Sequence, residues 1–397
     1  MKTISVCEVC GSGNLRSALD LGHQPMCDDL VPIGSTIEPK KYKLEILGCE
    51  TCFTFHQKYQ IDKSLLFPST YHYRARFTQD VLMGMRDLVD NVEQHVGNLK
   101  DLQVLDIGCN DGSLLKFFKH KGAKTFGIEP TNAFHDAVAN IDDGLNLYFG
   151  DDAVDAYLAK YRKPDIITFT NVFAHIEKLT ELLAQLKRLM HDKTLLVIEN
   201  HYLGAVSKLS QFDTFYHEHP RTYSINSFRF IASALERKIE HVSFPERYNG
   251  NIRIMLGNGG QCSLDWLNER QDYERMFRIQ HDIEYFKPLL SEKLFSLVGK
   301  YGTLPAKAFP GRACISVNFF GINENIVDAT YERTGSPKIG HYVPGTKIEI
   351  RDEKEFFDER VNSPILINFA WHIRAEIQRY VRKHGFKGDL VDAWLPR

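Results

Sequence analysis

The stretch VLDIGCNDGSLL, residues 104–115, decides the fold, because an apolar strand, a glycine-containing turn and the start of a helix follow one another in it. Strand-like and helix-like segments then alternate as far as KTLLVIEN at 193–200. This alternation predicts a parallel, doubly wound sheet, which binds ligands at the carboxyl ends of its strands. The segment HVSFPERYNGNIRIMLGNGG at 241–260 predicts an antiparallel pair at the edge of that sheet.

Beyond Gly260 the pattern of the chain changes. A helical stretch runs from Glu274 to Gly302 and is interrupted by Pro288. The segments predicted as short strands and turns are CISVNFFGI at 314–322, IVDATYERTG at 326–335 and TKIEIRDEKEFF at 346–357. The last segment, PILINFAWHIRAEIQRYVRKHGFK at 364–387, predicts one strand followed by one helix.

The length and composition are those of a globular protein with more than one domain. A chain of 397 residues exceeds what one hydrophobic core supports, so two or three domains are expected. The formal net charge of -2 provides no broad field for nucleic acid or anionic lipid, and neither is expected as a partner. The start, MKTISVCEVCGSGN, lacks the apolar core of a signal peptide, and no apolar run is long enough to span a bilayer. We therefore expect a cytoplasmic protein without a membrane partner.

Two C-x-x-C pairs, Cys7 with Cys10 and Cys49 with Cys52, predict a metal site. Each tight turn aims two sulfurs at one point, so two turns supply four tetrahedral ligands. Four sulfurs leave no open coordination position, and the expected zinc ion is therefore structural. Free thiols are the alternative interpretation. The residues between the pairs, which include Cys27, are expected to form a small lobe of their own.

The turn after the first strand favours a cationic ligand over a pyrophosphate. Gly108 and Gly112 let the backbone approach a ligand closely, and Asp106 and Asp111 supply carboxylates. A dinucleotide site would prefer G-x-G-x-x-G, in which a helix start holds the pyrophosphate. The acidic groups present here instead suit an ammonium or a sulfonium ion.

Further polar residues follow the next strands in the order that an adenosine pocket needs. Glu129 ends the second strand at the separation expected for a carboxylate that binds a ribose diol. Asp151 and Asp152 follow the third strand, where they could bind the adenine amino group, and Asn171 follows the fourth. This order predicts S-adenosylmethionine rather than a nicotinamide cofactor. A phosphate-binding or purely structural glycine turn remains the alternative.

The stretch FDTFYHEHPRTYS, residues 212–224, concentrates groups that could bind a metal, catalyse a reaction or form a polar surface. Its His-Glu-His triplet lacks the i, i+4 histidine spacing of a helical zinc site. A surface loop would leave its aromatic residues without a role. If the segment is extended, His217 faces away from Tyr216 and Glu218.

The chain resembles the S-adenosylmethionine-dependent sugar C-methyltransferases, which methylate nucleotide-linked keto-deoxysugars. The motifs that carry the resemblance are CEVCGSG with CETC, YHYRARFT, VLDIGCNDGSLL, NVFAHI, FDTFYHEHPRTYS, YNGNIRIM and VPGTKIEI. The resemblance implies an α/β protein with a zinc-binding domain at 1–66, a Rossmann-like class I methyltransferase domain at 67–260 and a C-terminal α/β domain at 261–397. The last domain is expected to contact the nucleotide-sugar.

The resemblance also implies roles for individual residues. The zinc ligands are Cys7, Cys10, Cys49 and Cys52. The positions expected to contact the cofactor are Tyr71 or Tyr73, Asp106, Gly108, Asn110, Asp111, Gly112, Glu129, Asp151 and Asn171. The positions expected around the sugar are His175, Tyr216, Glu218 and His219. The C-terminal glycine-rich turn of the family is replaced by YGTLPAKAFPGRACISVNFFGI, in which Gly302 and Lys307 keep plausible places, so the nucleotide, dTDP or GDP, stays open.

The implied reaction adds a methyl group to carbon 3 of a 4-keto-6-deoxysugar through an enolate, for the biosynthesis of branched-chain deoxysugars. Such a reaction needs a base beside the carbon, for which we expect His219, and donors near the carbonyl oxygen, for which we expect Tyr216 and His175. Glu218 is expected to fix a histidine tautomer or to bind a sugar hydroxyl. The alternatives are a sugar O-methyltransferase and a non-catalytic zinc and methyltransferase-like binding module. Nucleic-acid methylation is disfavoured by the near-neutral charge.

Overall fold

The computed structural model describes residues 1–68, 73–77, 79–246, 250–264 and 268–395. Tyr71 of the predicted cofactor site and the tip of the predicted edge hairpin, residues 247–249, lie outside the described residues. Among the residues described, no helix is both long and apolar enough to cross a membrane.

The strands fall into three groups along the chain. The first group is β1 (Lys2–Thr3), β2 (Leu15–Pro25), β3 (Val31–Pro32), β4 (Lys41–Cys49), β5 (Phe55–Gln57) and β6 (Tyr59–Gln60). The second is β7 (Gln103–Ile107), β8 (Lys124–Ile128), β9 (Asp143–Leu145), β10 (Ile166–Thr170), β11 (Leu195–His201), β12 (Arg221–Thr222), β13 (Lys238–Ser243) and β14 (Asn251–Gly257). The third is β15 (Leu304–Lys307), β16 (Val327–Glu332), β17 (His341–Tyr342), β18 (Glu349–Asp352), β19 (Ile365–Asn368) and β20 (Asp389–Asp392).

The helices connect and cover these strands. The α-helices are α1 (Lys63–Leu66), α2 (Gln79–Val96), α3 (Ser113–His120), α4 (Phe134–Ala137), α5 (Asp151–Lys160), α6 (Leu179–Leu189), α7 (Leu203–Lys208), α8 (Ile225–Ala234), α9 (Glu269–Met276), α10 (Ile279–Tyr301), α11 (Ala313–Phe320), α12 (Glu353–Glu355) and α13 (Arg374–Lys383). Short 3-10 turns span Ala75–Phe77, Phe173–His175, Phe212–Thr214 and Trp371–Ile373, and a π-helical turn spans Phe356–Arg360.

The central sheet confirms the predicted doubly wound architecture. Its strand order is β13-β14-β11-β10-β7-β8-β9, with β7 to β11 parallel. After β7 the chain forms β8 on one side of β7 and later forms β10 on the other side of β7. The strand order therefore reverses between β7 and β10. A crevice forms at such a switch point, outside the carboxyl ends of the strands. The predicted edge pair is also present, since β14 is antiparallel to both β11 and β13.

Helix α3 shows why the decisive stretch folds as predicted. Leu114, Leu115 and Phe118 lie on one face of the helix and are at most 1% exposed. Gly112 caps the helix with φ +73°, a left-handed conformation that glycine adopts without strain. The strand, the turn and the helix are therefore specified by local sequence and by burial together.

The N-terminal strands are joined to both later parts of the chain. They form a sheet of order β12-β5-β4-β2, in which β12 comes from the segment that follows FDTFYHEH. Strand β3 instead completes the C-terminal sheet, of order β20-β19-β15-β16-β18-β17-β3. The zinc-binding region thus contributes β3 to the C-terminal sheet, and its own sheet includes β12 from the central part.

One predicted strand is wrong. CISVNFFGI forms most of helix α11, which connects the parallel strands β15 and β16, and such a crossover is usually helical. Its residues are buried nearly all round, so its hydrophobic pattern does not distinguish a helix from a strand. The fourth parallel strand, β10, ends at Thr170 and is followed by Asn171, which has φ +55° where the chain turns.

Candidate active site

One large cavity of about 1070 Å³ opens at the carboxyl ends of the central strands. Its wall combines residues of all three parts of the chain. They include Asp28 from the N-terminal part, Asp106, Gly108, Glu129, Asn171, His175 and His219 from the central part, and Lys307, Arg312 and His372 from the C-terminal part. The cavity is therefore shared by the predicted cofactor residues and the predicted sugar residues.

The glycine turn after β7 is packed closely against the loop that follows β10, a neighbour of β7 in the sheet. Gly108 has φ +73°, and a Cβ built on it would lie 2.6 Å from a methyl group of Val172. Any larger side chain at Gly108 would therefore have to displace Val172, which itself lines the cavity. The turn carries no basic side chain between Gly108 and Ser113.

Two buried carboxylates lie behind the turn. The Thr168 hydroxyl donates to Asp106 Oδ1 over 2.6 Å, and burial raises the pKa of Asp106 to about 7. Glu129 Oε1 accepts from the backbone N–H and the hydroxyl of Thr131, and its Oε2 accepts from the Asn110 N–H. These bonds use three of the about four acceptor positions of a carboxylate, which leaves Glu129 one for a ligand hydroxyl.

The other predicted cofactor residues differ in how they are placed. Asp111 and Gly112 do not line the cavity. Asp111 instead accepts from the Ser113 N–H and hydroxyl and from the Arg76 N–H, so it shapes the turn. Asp151 lies at the cavity wall, where it accepts from Arg188 over 3.0 Å.

The segment around Tyr73 is fastened to the same turn by the side chain of Asn110 as well as by that of Asp111. The Asn110 amide accepts from the Ala75 N–H over 3.0 Å and donates to the Tyr73 carbonyl over 3.1 Å. Tyr73 lines the cavity and is 42% exposed. Asn110 thus couples the turn to the segment that borders the cavity mouth.

Three aromatic groups predicted to surround the sugar meet in the cavity. The ring of His219 lies 4.8 Å from that of His175 and 4.1 Å from that of Tyr216, centroid to centroid. Glu218 also lines the cavity, whereas His217 does not. The segment forms a turn closed by the His219 N–H and the Tyr216 carbonyl, yet His217 still points elsewhere and packs edge-on against Tyr42.

The hydrogen bond of His219 determines which of its nitrogens can accept a proton. Nδ1 lies 3.0 Å from the Thr214 carbonyl oxygen, which can only accept, so Nδ1 carries the hydrogen. The neutral ring then has its lone pair on Nε2. Burial, together with the positive charge of Arg312, lowers the pKa of His219 to about 4. His219 is therefore neutral at pH 7.

Two more histidines line this cavity, and sequence reasoning missed both. His201 is the last residue of β11, and its ring meets that of His219 edge-on at 5.5 Å. His372 lies in the turn after β19, and burial holds the pKa of both histidines well below the usual range. Their position in the sequence could have indicated them, because each lies at or shortly after the carboxyl end of a buried parallel strand, as His175 does.

The zinc-binding region holds the segment that carries these groups. The Gln57 amide donates to the carbonyls of Tyr216 and His219 over 2.6 and 2.9 Å. Arg221, which is fully buried in β12, forms an ion pair with Glu8. The position of the segment therefore depends on the fold of the N-terminal sheet.

The four predicted zinc ligands are together. The sulfurs of Cys7, Cys10, Cys49 and Cys52 lie within 4.8 Å of one another, and they form the one such group in the described part of the chain. Two of the separations are 3.4 Å and 3.6 Å, close to the roughly 3.8 Å edge of a tetrahedron with Zn–S bonds of about 2.3 Å. His56 Nε2 lies 3.3 Å from the Cys7 sulfur, where it can donate to a thiolate. The site fits a structural zinc ion.

Three family models match successive parts of the chain. They are described as "Putative zinc binding domain" for residues 7–67, "Methyltransferase domain" for residues 74–242 and "C-methyltransferase C-terminal domain" for residues 268–391. Together they cover most of the sequence and follow the order of the three groups of strands.

Among curated proteins, the chain is similar to the C-methyltransferase NovU of Streptomyces niveus. The two are 25% identical over 265 residues, which are 64% of this chain. The match spans 61% of NovU, which is less than two thirds of its length.

Solved methyltransferase structures match under half of the chain. Magnesium protoporphyrin IX methyltransferase of Synechocystis PCC 6803, with SAM bound, is 18% identical with a TM-score of 0.33 and aligns over 46% of this chain and 83% of its own. The 1,6-didemethyltoxoflavin-N1-methyltransferase of Burkholderia thailandensis is 11% identical with a TM-score of 0.35, over 47% and 81%.

The doubly wound sheet, the four-cysteine group and the three matched models agree along the whole chain. The chain thus carries a methyltransferase domain between the "Putative zinc binding domain" and the C-methyltransferase C-terminal domain.

Proposed function

We propose that the protein is an S-adenosylmethionine-dependent C-methyltransferase that methylates carbon 3 of a nucleotide-linked 4-keto-6-deoxysugar. The observation that carries the proposal is the placement of a neutral histidine, with a lone pair on Nε2, in the same cavity as the acidic glycine turn. A base and a cation-binding pocket in one space are what carbon methylation through an enolate requires.

The residues of the turn fit S-adenosylmethionine. Asp106 and Glu129 supply carboxylates, and Asn171 directly follows β10, the strand beside β7. The absence of basic side chains in the turn suits a sulfonium and disfavours a pyrophosphate. When bound, S-adenosylmethionine supplies an electrophilic methyl group.

The substrate side of the cavity supports an anionic, sugar-sized ligand. Four cationic side chains of the C-terminal part line the cavity. Lys307 and Arg312 are paired with Glu353 and Asp213, whereas Arg333 and Lys338 have no buried carboxylate partner among the residues described. This wall suits the diphosphate of dTDP or GDP. NovU is named as a C-methyltransferase, and the matched C-terminal model carries the same activity in its description.

We assign the proton transfer and the stabilisation of the enolate to different residues of the chain. His219 Nε2 takes the hydrogen from the carbon beside the ketone, and the electron pair of that C–H bond moves into the enolate. Tyr216 and His175 donate hydrogen bonds to the oxygen on which negative charge develops. Burial holds the pKa of the Tyr216 hydroxyl well above its usual range, so Tyr216 stays protonated and can donate. The enolate carbon then bonds to the methyl carbon as its bond to sulfur breaks.

The test is a methylation assay with S-adenosylmethionine and 4-keto-6-deoxysugars linked to dTDP and to GDP. We expect a product heavier by one CH₂ group, with the new methyl group on carbon 3. The same sugars with the ketone reduced to a hydroxyl should not react, because they cannot form the enolate.

Methylation of the reduced sugar would identify an O-methyltransferase instead. If neither sugar reacts and calorimetry detects no binding of S-adenosylmethionine, the chain is a non-catalytic binding module.

A further inference from the structure

Two side chains of the C-terminal part hold Asp213, a buried residue of the segment that carries the candidate base. Arg312 Nη2 donates to Asp213 Oδ1 over 2.5 Å, and Trp371 Nε1 donates to Asp213 Oδ2 over 2.7 Å. Asp213 is fully buried, and Arg312 is 6% exposed. Both oxygens of one carboxylate are thus bound by residues far away in the sequence.

The residues just before Asp213 are held from the same side. Arg312 also donates to the Gln211 side-chain oxygen from both terminal nitrogens, each over 3.1 Å. Trp394 donates to the Ser210 carbonyl over 3.2 Å. The ring of Phe212 packs among aromatic rings of the C-terminal part. Residues 210–213 therefore have little freedom to move relative to the C-terminal sheet.

A short, rigid path leads from Asp213 to His219. Thr214 follows Asp213 directly, and its hydroxyl donates to the Gln211 carbonyl over 2.8 Å. The Thr214 carbonyl in turn accepts from His219 Nδ1 over 3.0 Å. Moving Asp213 would therefore move the group that fixes the tautomer and the orientation of the His219 ring.

We propose that Asp213 is a positioning residue: held by Arg312 and Trp371, it fixes the Thr214 carbonyl and thereby presents His219 Nε2 to the substrate. This inference rests on the proposed function, because it assumes that His219 is the base. The C-terminal part of the chain would then do more than line the cavity, because its residues Arg312 and Trp371 would also hold the candidate base in position.

Stability alone does not account for the Asp213–Arg312 pair. Burying two charges costs desolvation energy, and well-packed apolar residues often stabilise a core as well or better. The aromatic cluster around Phe212 already joins the two parts of the chain. The charged pair adds directed hydrogen bonds, which define a position more sharply than apolar contact does.

The test compares Asp213→Asn and Trp371→Phe with the control Asp392→Asn. Asp392 is 2% exposed, pairs with Arg374 and accepts from Asn368, but it does not line the cavity. We expect the first two variants to lower kcat about tenfold to hundredfold, since a displacement of about 1 Å can cost a hundredfold. Affinity for S-adenosylmethionine should stay within about twofold, and the control should keep its kcat. If Asp213→Asn fails to fold, Trp371→Phe carries the test.

A second readout is the ¹⁵N NMR spectrum of the imidazole groups, with the His219 signals assigned from their loss in His219→Asn. The unaltered protein and Asp392→Asn should show His219 protonated at Nδ1, and Asp213→Asn and Trp371→Phe should shift it toward a mixture of tautomers. Unchanged kcat, or lost kcat with an unchanged His219 spectrum, would overturn the inference. If the unaltered protein methylates no sugar, the proposed function fails, while the spectra still decide whether Asp213 positions His219.

Discussion

At the scale of single residues, His219 is distinguished from its neighbour His217 by what each side chain faces. His219 lines the cavity with its Nδ1 hydrogen bonded to Thr214, whereas His217 is buried against Tyr42 outside it. We predict that His219→Asn abolishes turnover and leaves the affinity for S-adenosylmethionine nearly unchanged.

The matched control is His217→Asn, which should retain most of the turnover. Initial rates and calorimetric titrations check both variants. Retained turnover in His219→Asn would transfer the role of the base to Tyr216 or His175.

The pKa of His219 also predicts the pH dependence of the reaction. Burial lowers this pKa to about 4, so the neutral, proton-accepting form prevails above that pH and is lost as the pH falls through it. Because kcat/KM reports groups of the free enzyme, its acidic limb should lie near pH 4 and not near the ordinary histidine value of about 6.5.

The profile should be measured by pH jump from a stock at pH 7, since protonation of the cysteines at low pH would release the metal. S-adenosylmethionine must be saturating, because burial raises the pKa of Asp106 to about 7 and its protonation could otherwise weaken cofactor binding in the same range. Under that condition, an acidic limb between pH 6 and 7 would contradict this assignment of the base.

Some residues of the candidate site could be predicted from the sequence, and others could not. The carboxylates of the turn could be predicted because their order along successive strands is local information. Asp213, Arg312 and Trp371 could not be predicted as a group, since they are brought together from positions 99 and 158 residues apart. Contact of Asp111 with the cofactor stays a prediction: Ser113 donates to its Oδ1 and the Arg76 N–H to its Oδ2, and it does not line the cavity.

At the scale of elements, the turn after β7 and the segment Tyr73–Phe77 are joined through Asn110 and Asp111. We predict that Asn110→Gly weakens the binding of S-adenosylmethionine about tenfold, because it removes the two hydrogen bonds that the Asn110 side chain makes to the segment. Glycine is the suitable replacement because Asn110 has φ +50°, which glycine adopts without strain.

The control for this variant is Asp101→Gly. Asp101 also has a positive φ, of +64°, but it is exposed and does not line the cavity. Calorimetry should show unchanged affinity for Asp101→Gly. Equal losses in the two variants would mean that flexibility, not the lost contacts, weakens binding.

The elements also show what hydrophobic patterns can and cannot predict. The parallel strands of the central sheet were predictable because each is a short apolar run bounded by turn residues. Helix α11 was mistaken for a strand because it is buried nearly all round, among β2, α10 and the turn at Phe212–Thr214, so its pattern has no polar side. Only its place between two parallel strands identifies it as a helix.

At the scale of the whole molecule, the zinc site supports the active site through the N-terminal sheet. Its strand β5 pairs with β12 and carries Gln57, whose amide donates to the backbone carbonyls of Tyr216 and His219. We predict that Cys49→Ser lowers the yield of folded protein strongly, because a structural zinc ion contributes folding free energy.

Cys262→Ser is the matched control, since Cys262 is partly exposed and lies outside the four-cysteine group. Zinc content by mass spectrometry and thermal unfolding should both be normal in it. A Cys49→Ser protein that folds with normal stability but lacks turnover would instead show that the metal acts in the chemistry.

The three parts of the molecule could be expected from the sequence, but their interlocking could not. Strand β3 crosses from the zinc-binding part into the C-terminal sheet, and β12 crosses from the central part into the N-terminal sheet. Each of these strands has only two residues, too few for a hydrophobic pattern to appear. Their pairing is set by the tertiary fold.

The central claim is that His219 removes the hydrogen from carbon 3 before the methyl group is transferred. The most direct measurement is exchange of that hydrogen with D₂O, followed by NMR, in the presence of S-adenosylhomocysteine, which cannot donate a methyl group. If His219 is the base, exchange should be rapid with the unaltered protein, slow with His219→Asn and normal with His217→Asn. Equal exchange with the unaltered protein and His219→Asn, or methylation of carbon 3 without any exchange, would contradict the claim.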